Sequence, residues 1–343
     1  MDTAGTYRVL IFLTLVGTVY VLAAGVLIRK TLVRFRGAGG PVKSAPIWYS
    51  RVVLGLAGLG ILCAAYGYFL EPYWPSVTHI QIDTAKLVAG AGPVRVVLIS
   101  DLHSDAKARL EEQLPGIIAK ENPDVILFAG DCVNSSDGLA VFKKCIAGLA
   151  QLAPTFAVRG NWDAAFWRDL DLFGGTGVKE LDGGGIDLEI RGASISVNGL
   201  AVGHEAQIDD VLGGMPSGNF TLFLYHYPDE IENVSSHHID LYCAGHTHGG
   251  QVGLPWYGAL ITLSRFDKKY ESGLYRKEDT ILYVNRGIGM EGGHAPRVRF
   301  WARPEVTVID IVSAPRQATS NWLRQLDSEV YSGILFGLWQ RLN

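Results

Sequence analysis

The chain has 343 residues, 48% of them apolar and 19% charged, with a formal net charge of -4. That balance excludes the basic composition, with clustered Lys and Arg, that marks a nucleic-acid-binding domain, so no nucleic acid is expected among the partners. Four cysteines, Cys63, Cys132, Cys145 and Cys243, show no CxxC spacing and give no reading of redox compartment.

The first predicted element covers residues 7–28, where Arg8 is the one charge; as a helix these 22 residues rise about 33 Å, enough to cross hydrocarbon. The second covers residues 52–70, carries no charge, and stops at Glu71, Pro72, Tyr73, Trp74 and Pro75, which supply a helix breaker and interfacial aromatics. A cleaved signal is disfavoured by the lack of a basic start, the length of the apolar run and the second span. Between the spans lie Arg29, Lys30, Arg34, Arg36, Lys43 and Arg51 with no acid. The positive-inside rule places this basic loop, 29–51, in the cytoplasm and the rest of the chain on the outer face. Residues 1–75 are therefore expected to be a transmembrane anchor, with an integral membrane protein and an extracytoplasmic large domain as the result.

From 85 to 312 the chain reads as one α/β domain. Apolar runs beginning at Val94, Asp124, Thr155, Phe220, Asp240, Thr280 and Val306 are nearly continuous, as strands are when both faces of their sheet are covered. Leu139, Phe142, Ile146 and Leu149 recur at helical spacing behind a Ser/Asp cap signal, predicting a crossover helix. Ile186, Leu188 and Ile190, then Ile195 and Val197, alternate as the two arms of an antiparallel hairpin. The tail, 313–343, mixes Trp322, Leu326, Val330 and Trp339 with scattered charge and is expected to form an amphipathic helix.

Most of these strands end in side chains able to bind metal. Asp101 and His103 follow the first, and on an extended backbone alternate residues face the same way, toward one ion. Asp131 follows the second strand, Asn161, Trp162 and Asp163 the third, His226 the fourth, and His246 and His248 the fifth. Carboxylate, amide and imidazole donors suit Mn, Fe, Zn or Co, and seven ligands, Asp101, His103, Asp131, Asn161, His226, His246 and His248, imply two divalent ions. Two ions about 3.5–4 Å apart polarise a phosphoryl oxygen and bring the pKa of a shared water toward neutrality. The expected reaction is hydrolysis of a phosphoester or pyrophosphate by in-line attack of a metal-bridging hydroxide.

In their order these motifs, Asp101-Leu-His103, Gly130-Asp131, Gly160-Asn161-Trp162-Asp163, His226 and Gly245-His246-Thr247-His248, resemble the calcineurin-like metallophosphoesterases. GHTHGGQV from Gly245, NRGIG from Asn285 and PRVRFWARPEV from Pro296 are similar to the endings of its membrane-linked bacterial branch. The resemblance implies a four-layer α/β/β/α sandwich behind the two-helix transmembrane hairpin. It further implies a first ion on Asp101, His103 and His248, a second on Asn161, His226 and His246, and Asp131 as the bridge. Asp131, His246 and His248 are expected to serve in catalysis as well.

One position departs from the family pattern: its third motif has His after Asn, to stabilise the transition state or protonate the departing oxygen, and here Trp162 stands there. Indole N–H donates a hydrogen bond but is no acid. A leaving group that is stable as an anion is expected, which favours a pyrophosphate-type or otherwise activated substrate. The partners expected are a phosphorylated substrate, lipid-linked in the leading reading, and the membrane. A hydrolase of soluble nucleotides and a non-catalytic metal-binding membrane sensor are the alternatives. His204, as a substitute acid, and Arg297 and Arg299, with His294, as phosphate forks, are candidate substrate residues. Asn134 and Arg159 adjoin metal motifs and have equal readings as phosphate contacts or turn and surface residues, while His237 and His238 read as solvated loop residues.

Overall fold

The computed structural model of the chain describes residues 3–36, 45–88, 90–291 and 297–314. His294, Lys43 and the expected amphipathic tail beyond 314 lie outside the described residues. The fold divides into two units, Met1–Leu70 and Glu71–Asn343.

In the first unit, α1 (Thr3–Arg36) and α2 (Ile47–Phe69) contain stretches long and apolar enough to cross a membrane. Ala23 and Val26 of α1 pack on Val53 and Ala57 of α2, small and β-branched side chains that let two backbones approach. The helix α1 runs two turns beyond the predicted span, because Arg29, Lys30 and Arg34 are good helix formers and no Gly or Pro intervenes before Gly37. These cations therefore sit on a helix end and Arg51 lies in the first turns of α2, where a loop was expected. Pro72 cannot continue α2, and a single tight turn over Glu71–Tyr73 follows it.

The second unit contains, in chain order, β1 (Ser76–Thr84), β2 (Val94–Ile99), α3 (Leu114–Ala119), β3 (Val125–Phe128), α4 (Leu139–Ala150), β4 (Thr155–Ala157), α5 (Asn161–Phe166), β5 (Lys179–Glu180), β6 (Gly184–Ile190) and β7 (Ala193–Gly199). Then come α6 (Ile208–Gly213), β8 (Phe220–Leu224), α7 (Ile231–Val234), β9 (Leu241–Ala244), β10 (Gly253–Leu254), β11 (Gly258–Ala259), β12 (Gly273–Lys277), β13 (Thr280–Val284) and β14 (Glu305–Ser313). They build two six-stranded sheets, in the orders β1-β14-β2-β3-β4-β5 and β12-β13-β9-β8-β7-β6.

The period-two alternation of each strand explains the layers. Val96 and Leu98 point between the sheets, where they meet Leu222, Leu224, Leu241 and Tyr283. Their neighbours Val97 and Ile99 point outward with Ile126 and Phe128, against Phe142, Ile146 and Leu149 of α4. Across the molecule Phe223, Tyr225 and Tyr242 turn away from the inter-sheet core onto Leu212 of α6 and Ile231 and Val234 of α7. The central strands β3, β8 and β9 are thus buried throughout, and the result is the four-layer α/β/β/α sandwich. The predicted hairpin is β6–β7, turned by Arg191 and Gly192 at φ 52° and 79°. Two details differ from expectation. Gly138, not a Ser or Asp side chain, occupies the N-cap of α4. The edge strand β1, whose apolar pattern is diluted by Thr78, His79 and Gln81, is visible only through its parallel register on β14.

Neighbouring strands β2, β3 and β4 run parallel in one sheet, and β8, β9 and β13 in the other. Their carboxyl ends therefore gather at two adjacent sheet edges, the place where open α/β sheets present ligand-binding side chains. The edges are stitched together: His226, after β8, contacts the Ala129 carbonyl after β3 at 2.7 Å, and Asn285, after β13, accepts the Ser100 hydroxyl at 3.0 Å.

Candidate metal centre

Two clusters of buried ligand groups form at these edges, Asp101 with His103 and His248, and Asp101 with Asp131 and His226; within each, the donor atoms lie within 4.8 Å of one another. Asp131 Oδ2 sits 3.4 Å from Nε2 of both His103 and His226. Its other oxygen accepts the Trp162 backbone N–H at 2.8 Å. Asn161 Oδ1 is 2.8 Å from His226 Nε2, and the His246 backbone N–H reaches the Asp101 carboxylate at 3.1 Å. The His246 ring packs on those of His226 and Tyr227. All seven sequence-predicted ligands thus enter one connected network. Asp101 belongs to both clusters, and Asp131 lies between His103 of one and His226 of the other.

The way Asp101 and His103 converge differs from the alternation expected of an extended strand. Asp101, His103, Asp131, His246 and His248 all have positive φ, from 40° to 72°. Non-glycine residues seldom adopt this left-handed conformation, and here it turns consecutive side chains inward immediately after each strand stops. Two glycines make room for the carboxylates. A Cβ on Gly160 would lie 2.2 Å from Asp131 Oδ1, and one on Gly287 would lie 2.6 Å from the Asp101 Cβ.

The electrostatics suit cations. Burial works against charge on Asp131, yet His226 and His103 beside it hold its carboxyl well below the usual range. Burial, joined by the charge of Asp131, raises Asp101 even with His226 nearby. Burial likewise opposes charge on His226, but Asp131 and Asp101 lift it to about 9. Burial and neighbouring cations hold His246 down to about 3 and His248 well below the ordinary imidazole range, so both rings are neutral donors at physiological pH. Because a carbonyl only accepts, the contact to Ala129 O keeps a proton on Nδ1 of His226 and aims Nε2, whose proton a cation would displace, into the cluster. Both ring nitrogens of His103 are buried without a hydrogen-bond partner, a costly state for an imidazole that a cation would relieve. The donor set, its burial and this orphaned ring fit a divalent-metal site.

Several residues have roles that the sequence did not disclose. The buried carboxylate of Asp163 accepts the backbone N–H groups of Asp131, Cys132 and Gly160, which ties the second and third motifs together. Burial and the charge of Asp131 raise Asp163 to about 6. Asn134 and Arg109 both donate to the His103 carbonyl, so Asn134 supports a ligand loop. Asn285 accepts the Ser100 hydroxyl and the Gly287 N–H while donating to Thr307, a buried knot under the Asp101 turn.

Arg299, expected to fork a substrate phosphate, is fully buried. Its guanidinium donates to the carbonyls of Gly289, Ala302, Arg286 and Gly287 and lies 3.4 Å from His248 Nδ1, so it braces the loop behind that ligand. Arg297 is exposed and pairs with Asp105 at 2.8 Å. His204 is half-exposed and contacts Asp182 at 2.8 Å. Arg159 is held by Glu180 and the Trp167 and Leu170 carbonyls, and His237 by Asp209. Trp162 stands at the cluster, its ring edge-on to His103 with centroids 5.3 Å apart and tilted against Phe166 at 5.0 Å.

Comparison with known proteins agrees with this geometry. Residues 94–250 match the family described as calcineurin-like phosphoesterase. The chain is 31% identical over 281 residues to the uncharacterized metallophosphoesterase YkuE of Bacillus subtilis, an alignment covering 76% of this chain and 95% of that one. It is 29% identical over 258 residues to the phosphodiesterase YaeI of Escherichia coli, covering 72% and 92%. With the UDP-2,3-diacylglucosamine pyrophosphatase LpxG of Chlamydia muridarum it shares 23% identity over 319 residues, covering 74% and 94%. A sandwich that gathers carboxylates and imidazoles at its paired sheet edges, together with these alignments along most of the chain, makes it a member of the calcineurin-like phosphoesterase family and a metal-dependent hydrolase.

Proposed function

We propose that the chain hydrolyses a pyrophosphate or similarly activated phosphoester, carried on a lipid-linked substrate, at the outer face of a membrane. The observation that carries this reading is Trp162, placed against His103 and Asp131 where the resemblance calls for an imidazole. With indole there, the departing oxygen receives a hydrogen bond at most, and the reaction suits a phosphate-type leaving group. The relative LpxG is named as a pyrophosphatase of a diacylated nucleotide sugar, which supports the same substrate class. The two apolar helices of the first unit support a membrane setting.

In this reading Asp101, His103 and His248 would hold one divalent ion and Asn161, His226 and His246 the other, with Asp131 available to both. Mn, Fe, Zn and Co all suit these donors, and a bound pair would supply Lewis acidity toward the phosphoryl group and an activated water. The chain's own part is to keep His246 and His248 neutral, to aim His226 Nε2 inward, and to hold the Asp131 carboxylate ionised. Residues 1–75 serve as anchor and 85–312 as catalytic domain, with the basic ends of the helices in the cytoplasm.

The test is a substrate screen of the detergent-solubilised full chain loaded with Mn. A lipid-linked pyrophosphate in mixed micelles is expected to turn over faster than a soluble nucleotide pyrophosphate, and both much faster than an alkyl phosphomonoester. Equal rates on the alkyl monoester would contradict the inference from Trp162. A reporter fused after Asn343 that works only in the cytoplasm would contradict the topology.

A further inference from the structure

Exposed aromatic side chains gather from three segments of the second unit onto one rigid frame. The first segment is its entry, where Tyr73 and Trp74 (56% exposed) follow Glu71. The second is the β10–β11 hairpin, whose turn carries Trp256 (74% exposed) and Tyr257. The third carries Trp301. The fully buried carboxylate of Glu71 accepts the backbone N–H groups of Trp301 and Ala302 at 2.9 and 2.6 Å, clamping the entry to the third segment. Arg303 reinforces that clamp, lying 4.0 Å over the Trp74 ring and donating to the Trp74 and Pro75 carbonyls. A bridge between Val252 and Phe300, with the Gly253 N–H on the Phe300 carbonyl at 2.8 Å, clamps the hairpin to the same strand of chain.

Tyr and Trp interleaved with cations are the side chains that settle in a headgroup layer, where the ring finds hydrocarbon and the polar atoms find water. Here Arg303 stacks on Trp74, and Lys268 lies 4.0 Å over Tyr257. A buried carboxylate spent on two backbone N–H groups fixes the frame instead of leaving these rings on a mobile loop. The frame also reaches the metal centre: Arg299, two residues before Trp301, lies against His248, and Gln251 accepts the Phe300 N–H at 2.9 Å.

We infer that Tyr73, Trp74, Trp256, Tyr257 and Trp301 form a membrane-docking surface that seats the metal centre at the headgroup layer, so that it takes a pyrophosphate or activated phosphoester of a bilayer-resident lipid. The occupant is the bilayer, because the frame begins at Glu71, the residue bonded to the end of the apolar hairpin. This rests on the lipid-linked substrate proposed above and adds the surface that delivers it.

The experiment uses the full chain in vesicles of phosphatidylethanolamine and phosphatidylglycerol. In a Cys63→Ser background, Trp256→Cys is labelled with an environment-sensitive dye, and Lys144→Cys serves as an exposed reference on α4. The label at 256 is expected to shift to the blue and to be quenched by lipids spin-labelled near the headgroup, with no change at 144. Equal, unquenched spectra at both positions overturn the surface, as does a blue shift at 256 that persists in detergent without lipid quenching, which signals a protein contact. In parallel, the Trp256→Ala/Trp301→Ala double variant is expected to raise the apparent KM for a lipid-linked pyrophosphate about tenfold, with turnover of soluble bis(p-nitrophenyl) phosphate unchanged. An unchanged KM for the lipid substrate, or the same loss on both substrates, overturns the surface. A quenched label in a protein that cleaves the soluble diester but no lipid-linked phosphate supports the surface and sinks the substrate class instead.

Discussion

The carboxylate of Asp163 accepts the backbone N–H of Asp131 at 2.9 Å, and through that bond a side chain of the third motif sets the conformation of the second. The same carboxylate takes the N–H groups of Cys132 and Gly160, so three donors at the rim of the metal centre depend on one buried acid. Asp163→Asn turns an acceptor into a donor that faces these groups. The expected result is a loss of about 1–3 kcal/mol of stability and a 10- to 100-fold weaker metal affinity, approximate values for an unsatisfied buried group and for a residue behind a ligand. Chemical denaturation and metal titration by calorimetry measure the two effects, and wild-type affinity in the variant would remove Asp163 from the positioning role.

Asp131 Oδ2 lies 3.4 Å from Nε2 of both His103 and His226. Asp131→Asn keeps the shape and removes the charge, so bound metal is expected to fall and turnover to drop at least about a hundredfold, the scale of losing one electrostatic partner in a reacting centre. Elemental analysis of the purified variant beside a rate assay separates loss of metal from loss of chemistry. A fully loaded, active variant would contradict the bridging assignment.

The raised pKa of His226 makes a prediction about pH. In chelator-stripped protein His226 titrates at about 9, above its ordinary value near 6.5, held there by Asp131 and Asp101 against burial. A raised folded-state pKa means that this stabilising contribution is complete below about 6.5 and is lost as pH climbs through about 9. The melting temperature of stripped protein is therefore expected to decline across that window. Metal takes the place of the proton, so binding at pH 7 releases about one proton from this ring, and affinity weakens by up to about tenfold per pH unit below 9. Proton release in weakly buffered solution, followed during a zinc titration, checks the sign; no release would show that His226 is already neutral.

Trp162→His replaces the indole at the cluster with a group able to carry a proton. Hydrolysis of an alkyl phosphomonoester is expected to rise by about a hundredfold, the low side of general acid catalysis, while cleavage of a pyrophosphate changes little. Equal gains on both substrates would mean that Trp162 matters for space and not for leaving-group choice.

Gly160→Ala tests the close approach under the centre. Its Cβ would sit 2.2 Å from Asp131 Oδ1 and 2.6 Å from the Asp131 N. The backbone must move, at about 1–3 kcal/mol for such overpacking, and Asp131 moves with it. Metal content is expected to fall together with the melting temperature.

Strands and ligands were legible in the sequence for different reasons. Buried strands such as β2 and β3 announce themselves because both of their faces are apolar, while the exposed edge strand β1 carries no such signal and exists by pairing with β14. Candidate ligands were legible because Asp and His seldom close an apolar run by chance. Arg299 was misread for a physical reason: a guanidinium beside a phosphate and one sunk among backbone carbonyls look alike in a sequence, and only the carbonyls of Gly287, Gly289 and Ala302 around it tell them apart. The supports Asp163 and Asn285 were equally hidden, since their partners are backbone groups with no side-chain signature.

By itself, then, the sequence determined the mixed α/β pattern, the two apolar helices and the seven candidate ligands, because periodicity and residue chemistry are local properties of the chain. Tertiary structure decided how those ligands meet. Parallel strands bring distant ends to one pair of edges, left-handed turns at Asp101, His103, Asp131, His246 and His248 point the side chains inward, and Gly160 and Gly287 leave the space they fill. Such turns are strained for residues with a Cβ, and a local sequence does not reveal strain that only the surrounding packing can hold in place.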